Sequence, residues 1–276
     1  MILAIDYGGS NFRYQLDTHP IVILETQSVD LMLFLEEMMV QYPIESIAIS
    51  FAGQVRNGVI LSAPHIALHN VEIQKVIKER YAIPLVIDND LKCAALYEAS
   101  LNPHANTLAV LYIGTGFGGA LVHQGKIIGG ANNFAGEIGH TPFRATPFGC
   151  GCGRNDCLEL SLSGKALALW SHHYGLDLEE FRLEDIKSKP KGDTIHQNFL
   201  DALAHSFFTV LNLFDPDGFI YSGSVMQNNP HLIDFLQECY TQSAFKTVRK
   251  APKIELSISK EGCLEGAKLL LNQEKK

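Results

Sequence analysis

The sequence lacks the segments that mark export or membrane insertion. No apolar run approaches the roughly 20 residues that a transmembrane helix needs. Residues Met1 to Asp6 lead directly into a short apolar strand pattern, with neither a basic stretch nor a small-residue cleavage site. We therefore expect a cytoplasmic protein with no signal peptide and no membrane partner.

Positive charge is also scarce. The lysines and arginines number 22 against 30 aspartates and glutamates, which gives a formal net charge of −8. An acidic surface disfavours broad contact with the phosphate backbone of DNA or RNA, although it leaves room for a local cationic pocket. We predict that the chain binds no nucleic acid.

The composition is otherwise that of an ordinary globular protein. Hydrophobic residues make up 46% of the 276 residues and charged residues 19%, enough for one large domain or two smaller α/β lobes with a real core. A pattern of strand, glycine turn and strand occurs at 3–9 and again at 108–116, and each copy opens a lobe. We predict a first lobe over 1–105, completed by the C-terminal helix 262–276, and a second lobe over 106–261.

Hydrophobic periodicity predicts strands and helices that alternate along much of the chain. The predicted strands are 2–5, 12–16, 21–25, 46–52, a hairpin over 55–61, 85–87, 108–113, 120–123, 126–128, 218–221 and 253–257. The predicted helices are 29–41, 71–81, 91–100, 163–173, 195–214, 232–244 and 262–272. Residues 129–157 are rich in glycine, proline and cysteine and predict a long ordered loop, a feature that is often functional.

The second glycine turn has the spacing G-x-G-x-x-G, with its glycines at Gly114, Gly116 and Gly119. In dinucleotide-binding folds a helix follows these glycines, whereas 120–128 has the spacing of a hairpin. We therefore predict a β-hairpin whose tip amides face a phosphate, with Thr115 here and Ser10 in the first turn adding hydroxyl donors. A tight hairpin without a ligand remains the alternative for either turn. The Walker pattern G-x-x-x-x-G-K-[ST] is absent from the sequence.

Asp88, Asn89 and Asp90 end a predicted buried strand and precede a helix. Carboxylates at this end of a strand lie where α/β folds place ligands. Asp90 at the start of a helix suits a general base that accepts the proton of an alcohol, and the structural alternative is an N-cap. The two roles are compatible with each other.

Three of the six cysteines crowd into one loop. His140, Cys150, Cys152 and Cys157 have the spacing H-x9-C-x-C-x4-C, and three thiolates with one imidazole make a closed tetrahedral zinc set. We predict a structural zinc site, with free thiols as the alternative. Cys93, Cys239 and Cys263 are expected to be small buried hydrophobic residues.

Two glutamates flank this loop. Glu137 lies three residues before His140, and Glu159 lies two residues after Cys157. If His140 binds zinc through one nitrogen, its other nitrogen can face a ligand. We predict that Glu137 orients a ligand hydroxyl and that the same zinc positions Glu159, and solvent exposure is the alternative for each.

Taken in order, these motifs resemble those of the ROK family of bacterial sugar kinases and sugar-responsive repressors, over nearly the whole chain. The similar segments are Asp6-Tyr7-Gly8-Gly9-Ser10, Asn89-Asp90 with Ala94-Ala95 and Glu98, Gly114-Thr115-Gly116 with Gly118-Gly119, Gly136-Glu137-Ile138-Gly139-His140, and Cys150-Gly151-Cys152-Gly153 through Cys157-Leu158-Glu159.

The resemblance implies an α/β fold of the two-lobe actin and hexokinase type (ribonuclease H-like), with a cleft between the lobes. It implies ATP-dependent phosphorylation of the 6-hydroxyl of a hexose-type sugar, with Asp90 as the base. Glucose is the expected sugar, because Glu137 in its E-x-G-H segment matches glucokinase-like members. Fructose, mannose, allose and N-acetylmannosamine remain open, and a homodimer or homotetramer is expected.

The resemblance also implies the remaining site residues. The expected sugar contacts are Asn89, Asp90, Glu137, His140 and Glu159. The residues expected to line the nucleotide, its phosphates and Mg²⁺ are Asp6, Gly8, Gly9, Ser10, Gly114, Thr115, Gly116 and Gly223.

The chain departs from the family pattern at a few places. Ser10 replaces the usual threonine, Asn11 stands where lysine is common, and Ser222 and Ser224 flank Gly223 in a turn that is usually richer in glycine. Family repressors carry an N-terminal helix-turn-helix region, which we do not expect because the first strand begins at Ile2. A sugar-binding protein without catalysis remains an alternative.

Overall fold

The computed structural model describes residues 1–63, 68–176, 182–259 and 261–273. The chain divides into two compact units. The first comprises Met1–Leu101, Gly129–Phe134 and Ser259–Lys276, and the second comprises Asn102–Ile128 and Ala135–Ile258.

A five-stranded sheet forms the centre of the first unit, in the order β3-β2-β1-β4-β7, beside a separate two-stranded hairpin, β5-β6. The strands are β1 (Ile2–Tyr7), β2 (Asn11–Leu16), β3 (Val22–Glu25), β4 (Ser46–Phe51), β5 (Gln54–Arg56), β6 (Val59–Ser62) and β7 (Leu85–Asn89). Strands β1 to β3 make the predicted antiparallel meander, and β1, β4 and β7 run parallel. The carboxyl ends of these three parallel strands therefore meet at one edge of the sheet.

The hairpin turns at the predicted dipeptide. Asn57 and Gly58 have φ values of 51° and 73°, the left-handed pair that a two-residue turn of type I′ requires. In contrast, the predicted helix at 71 begins later, at Ile73, because Val71 pairs with Ile60 as an isolated β-bridge.

Four α-helices are found among the described residues of the first unit: α1 (Leu31–Gln41), α2 (Ile73–Tyr81), α3 (Asp90–Leu101) and, from the end of the chain, α9 (Gly262–Gln273). Helix α1 begins two residues later than predicted, because the Asp30 carboxylate accepts hydrogen bonds from the N–H groups of Met32 and Leu33 and caps the helix there. Gly266 lets α9 lie directly against α3, since a Cβ at that position would be 1.7 Å from the Cys93 carbonyl oxygen. The last three residues of the predicted C-terminal helix lie outside the described residues.

The second unit repeats this sheet plan. Its strand order is β10-β9-β8-β11-β12, with an antiparallel meander followed by two parallel strands. The strands are β8 (Thr107–Ile113), β9 (Phe117–His123), β10 (Lys126–Ile127), β11 (Gly218–Ser222) and β12 (Lys253–Leu256). The glycine turn after β8 leads into a strand, which confirms the predicted hairpin and rules out a dinucleotide-binding turn there.

Five helices are described in this unit. They are α4 (Gly164–His173), α5 (Leu183–Lys187), α6 (Gly192–Phe214), α7 (Ser224–Asn228) and α8 (Leu232–Gln242). Helix α6 begins three residues earlier than predicted, where Gly192 packs against the Ile186 carbonyl. Its buried face places Phe199 and Phe207 in a core with Phe219 of β11.

The predicted long loop lies between β10 and α4. It contains two 3₁₀ turns, Ile138–His140 and Leu158–Leu160, and an isolated bridge that pairs Pro142 with Cys157. Within the described part of the chain, no helix is long and apolar enough to cross a membrane.

Candidate functional site

The end of β7 and the start of α3 form a tight polar turn. Strand β7 ends at Asn89 and α3 begins at Asp90, so residues 88–90, called the 88–90 turn below, lie at the carboxyl end of a buried parallel strand. The side chain of Asn89 accepts from the N–H of Leu91 at 3.1 Å and donates to the Gly53 carbonyl at 3.1 Å. Asp90 Oδ1 accepts from the same N–H at 2.9 Å. Asn89 and Asp90 thus share the capping of α3.

The environment of Asp90 disfavours its ionised form. The pKa of its carboxyl group is raised to about 6, mainly because the group is buried. The hydrogen bond from the Leu91 N–H lowers this pKa, and the neighbouring charge of Asp6 raises it. Asp90 also interacts with the buried thiol of Cys93 and the thiol of the half-buried Cys263. A carboxyl group with this pKa is largely ionised at neutral pH yet basic enough to accept a proton.

Asp6 lies beside the 88–90 turn because of strand register. The parallel pairing sets Asp6 opposite Ser50, and Ser50 opposite Asp88. The Ser50 hydroxyl donates to Asp6 Oδ1 at 3.0 Å. Burial raises the pKa of Asp6, and this hydrogen bond opposes the rise. The sheet therefore brings a second carboxyl group to the same edge.

The first glycine turn follows β1 directly. The N–H of Gly8 donates to the Asn11 carbonyl at 3.0 Å, and a Cβ at Gly8 would be 2.9 Å from that oxygen. The Gly8 carbonyl accepts from the Thr26 hydroxyl at 2.7 Å. Gly9 is half-buried and Ser10 is exposed. The turn is closed by its own backbone and can present Gly9 and Ser10 to a ligand.

The second glycine turn is shorter than predicted, and hydrogen bonds from a neighbouring helix hold it in place. The N–H of Gly114 donates to the Gly116 carbonyl at 3.0 Å. The start of α4 braces the turn, since the N–H groups of Gly164 and Lys165 donate to the carbonyls of Gly114 and Thr115 at 2.7 and 3.0 Å. Because both carbonyls accept hydrogen bonds from α4, the conformation of the turn is restricted.

Two other glycines near this turn have different roles. Gly118 and Gly119 lie within β9 rather than in the turn itself, which corrects the predicted limits. Gly223 has φ of 94°, and a Cβ there would be 2.5 Å from the Ile113 carbonyl. Gly223 therefore packs against the end of β8, next to Gly114, and no other residue fits at this position.

The two predicted ligand-binding glutamates lie in the second unit, each half-buried. Glu159 Oε2 accepts from the N–H of Phe117 at 3.0 Å, and a Cβ on Gly116 would be only 2.8 Å from that oxygen. Glu137 Oε2 lies 3.9 Å from His140 Nε2. One glutamate is thus fixed against the second glycine turn, and the other is paired with a histidine.

That histidine also belongs to the predicted metal set. The ligand atoms of His140, Cys150, Cys152 and Cys157 all lie within 4.8 Å of one another. His140 Nδ1 is 3.5 Å from Cys150 Sγ, and the sulfurs of Cys152 and Cys157 are 3.3 Å apart. These separations suit one tetrahedral ion with bonds of about 2.0–2.3 Å. Nδ1 would bind the ion, and Nε2 faces Glu137.

The sequence patterns did not identify three residues of the first unit that form hydrogen bonds around Asp6 and the 88–90 turn. Ser50 binds Asp6, Asn133 binds Asp88 at 2.8 Å, and Lys92 binds Asn133 at 2.7 Å through their side chains. A lysine within the apolar run of α3 was the available signal. The partners are 41 and more residues apart, so periodicity does not reveal them.

Similar proteins named as sugar kinases align with different shares of the chain. An N-acetyl-D-glucosamine kinase of Vibrio vulnificus (strain YJ016) is 34% identical over 185 residues, which is 61% of this chain and 60% of that protein. This chain thus matches about three fifths of that relative's length. An N-acetyl-D-glucosamine kinase of Aliivibrio salmonicida (strain LFI1238) is 26% identical over 98% of this chain and 99% of its own.

Solved structures show the same fold. The ROK hexokinase of Thermus thermophilus matches with a TM-score of 0.81 at 22% identity, covering 100% of this chain and 99% of that one. The ROK family glucokinase of Streptomyces griseus, solved with glucose and AMPPNP, matches with a TM-score of 0.73 at 20% identity over 99% of both chains. The predicted two-lobe actin and hexokinase-like α/β fold is confirmed.

The family model supplies the broadest evidence. The model of the ROK family matches residues 2–274. Together with the paired sheets and the histidine–cysteine cluster, this match places the chain in the ROK family.

Proposed function

We propose that this chain is an ATP-dependent kinase that phosphorylates the 6-hydroxyl of a hexose-type sugar. The observation that carries the proposal is Asp90, a carboxyl group at the carboxyl end of a buried strand whose pKa burial raises to about 6. Relatives named N-acetyl-D-glucosamine kinase support the reaction class.

Asp90 acts as the general base. A sugar hydroxyl has a high pKa, so its proton is given up as the oxygen–phosphorus bond forms, and Asp90 accepts it. The N–H of Leu91, in the first turn of α3, holds the carboxylate in place, and Asn89 keeps the turn closed. Asn89 also contacts the sugar, using the second hydrogen of its amide, because an amide nitrogen has two donors.

The two glycine turns bind the phosphates of ATP. The turn at Gly8-Gly9-Ser10 and the turn at Gly114-Thr115-Gly116 offer backbone N–H groups and two hydroxyls, which suit an anion. Gly223 borders the nucleotide. Mg²⁺ enters with the nucleotide phosphates, and Asp6 is the carboxylate that fits it because Mg²⁺ prefers oxygen ligands.

Glu137, His140 and Glu159 bind the sugar hydroxyls. His140, Cys150, Cys152 and Cys157 would hold a zinc ion, which would fix the ring of His140 through Nδ1 and so aim Nε2 and its partner Glu137. Such a zinc would be structural, since the protein would supply all four ligands and leave none for water.

Glucose and N-acetyl-D-glucosamine are the two leading acceptors. Glucose is favoured by the E-x-G-H segment around Glu137, and N-acetyl-D-glucosamine by the names of the sequence relatives. The two sugars differ at carbon 2, so either leaves the chemistry at the 6-hydroxyl unchanged.

The test is an assay of ADP formation. Purified protein is incubated with Mg-ATP and, one at a time, glucose, N-acetyl-D-glucosamine, N-acetylmannosamine, mannose, fructose and allose. We expect ADP formation that depends on at least one of these sugars, with the phosphate on the 6-oxygen of the product by NMR. Sugar-independent ADP formation alone, or none with any sugar, would contradict the proposal and favour a non-catalytic sugar-binding protein.

A further inference from the structure

Lys92 is a buried lysine two residues after Asp90. It lies in the first turn of α3, and 5% of its surface is exposed. Its Nζ donates to the backbone oxygen of Asn133 at 2.5 Å and to that residue's Oδ1 at 2.7 Å. Removing an ammonium group from water is costly unless the group is hydrogen-bonded. Asn133 therefore supplies two of the acceptors that make the burial of Lys92 tolerable.

The amide nitrogen of Asn133 acts as a donor, whereas its oxygen atoms accept from Lys92. Its Nδ2 donates to Asp88 Oδ1 at 2.8 Å and to the Val55 carbonyl at 2.9 Å. Since Lys92 can only donate and the Asp88 carboxylate can only accept, the amide has one orientation that satisfies both. Its backbone has φ of 59°, a left-handed conformation that asparagine adopts more readily than most residues.

These contacts reach both flanks of Asp90. Asp88 Oδ1 also accepts from the N–H of Asn89 at 2.7 Å, so Asn133 holds the end of β7. Lys92 stands on the first turn of α3, so the same residue holds the start of the helix. One side chain from the segment Gly129–Phe134 thus links the strand before Asp90 to the helix after it.

We propose that Lys92 and Asn133 are positioning residues that fix the direction of the Asp90 carboxylate toward the acceptor hydroxyl. The inference rests on the proposed kinase function. Neither residue needs to touch the substrate. Losing either side chain lets the 88–90 turn relax, and a displacement of about 1 Å at a reacting group can lower the rate roughly 100-fold.

The test uses the variants Lys92→Met, Asn133→Gly and the double variant. Methionine keeps the length of the lysine stem without its donors, and glycine accepts the left-handed φ without the amide. The control is Lys268→Met in α9, a half-buried helix lysine of the first unit, whose Nζ donates to Gln15 at 2.6 Å and Glu265 at 2.7 Å. For each variant, kcat per folded molecule, both KM values and the melting temperature are measured.

We expect each single variant to lose roughly 10- to 100-fold in kcat while the KM for Mg-ATP stays within about twofold. The double variant should be no worse than the poorer single variant, because the two residues act as one unit. Lys268→Met should keep its kcat within about twofold.

Three results would overturn the inference: near-normal kcat in both single variants, losses that multiply in the double variant, or an equal loss of kcat in Lys268→Met. If the wild-type protein turns over no sugar, the proposed function itself fails, and the inference falls with it. Active wild-type protein with unaffected variants removes the inference alone.

Discussion

The 88–90 turn and the cysteine loop, residues 140–157, hold their polar side chains by different means. The turn lies where a parallel strand meets a helix, and hydrogen bonds from neighbouring backbone and side chains fix it. The loop contains one isolated bridge, between Pro142 and Cys157, and its four ligand atoms lie within 4.8 Å of one another. Secondary structure and hydrogen bonds position the side chains of the turn, whereas a bound ion would position those of the loop.

The two regions should therefore fail in different ways. Damage to the turn should affect the chemical step, because the turn carries the base. Damage to the loop should affect sugar binding and stability, because the loop carries His140, which is paired with Glu137, and ends two residues before Glu159.

The largest effect is expected for Asp90→Asn. Asparagine keeps a helix-capping oxygen but cannot accept the proton, so kcat should fall roughly 100- to 10,000-fold, the range of general base catalysis. Sugar binding, measured by calorimetry, should change little. The matched control is Asp30→Asn, which alters another helix-capping aspartate and should leave kcat intact. A kcat for Asp90→Asn within threefold of wild type would rule out the base.

Removal of the metal should affect the other region. Native protein should contain about one zinc per chain, and Cys152→Ser should lose it. Because His140 and Glu137 would no longer be oriented, the KM for sugar should rise roughly 10-fold or more and the melting temperature should fall. Cys239→Ser, outside the loop, is the control. Metal-free native protein with full activity would contradict the zinc assignment.

A smaller effect is expected for Gly116→Ala. The new Cβ would lie 2.8 Å from Glu159 Oε2, and a flexible carboxylate can move aside at little cost in stability. We expect a several-fold higher KM for sugar with a nearly unchanged melting temperature. Gly149→Ala, where a Cβ meets no atom within 4 Å, should change neither quantity. Equal KM values for the two variants would remove Glu159 from the sugar site.

The smallest effect concerns stability. The folded-state pKa of Asp90, about 6, lies above its ordinary value of 3.8, so ionisation of Asp90 destabilises the folded protein as pH rises from about 4 to above 6. At pH 7.5, Asp90→Asn should therefore raise the free energy of unfolding by about 1 kcal/mol, a gain reduced by solvent near this half-buried group. At pH 4 the gain should vanish. Thermal unfolding at both pH values measures it.

Local sequence patterns predicted the repeated part of the fold. Both meanders and the Asn57-Gly58 hairpin followed from strand patterns and turn residues. The strands that pair in parallel were predicted as short apolar runs, without their pairing. The short helices α5 and α7 did not, because five residues carry too little periodicity. The exact start of α1 depended on a side-chain cap at Asp30 that periodicity does not show.

The candidate site was predictable as a list of residues but not as an arrangement. Asp6, Ser50 and Asp88 meet through strand register, which a single sequence does not specify. Lys92 and Asn133 meet across 41 residues. The roles of the site residues, the oligomeric state and the cytoplasmic location stay predictions.

The pH dependence of kcat/KM for the sugar tests the central assignment most directly. The wild-type value should fall tenfold per pH unit below an apparent pKa near 6, because protonated Asp90 cannot accept the hydroxyl proton. The residual activity of Asp90→Asn should lack this titration. A wild-type profile that stays flat from pH 5 to 8, or the same titration in Asp90→Asn, would contradict Asp90 as the base.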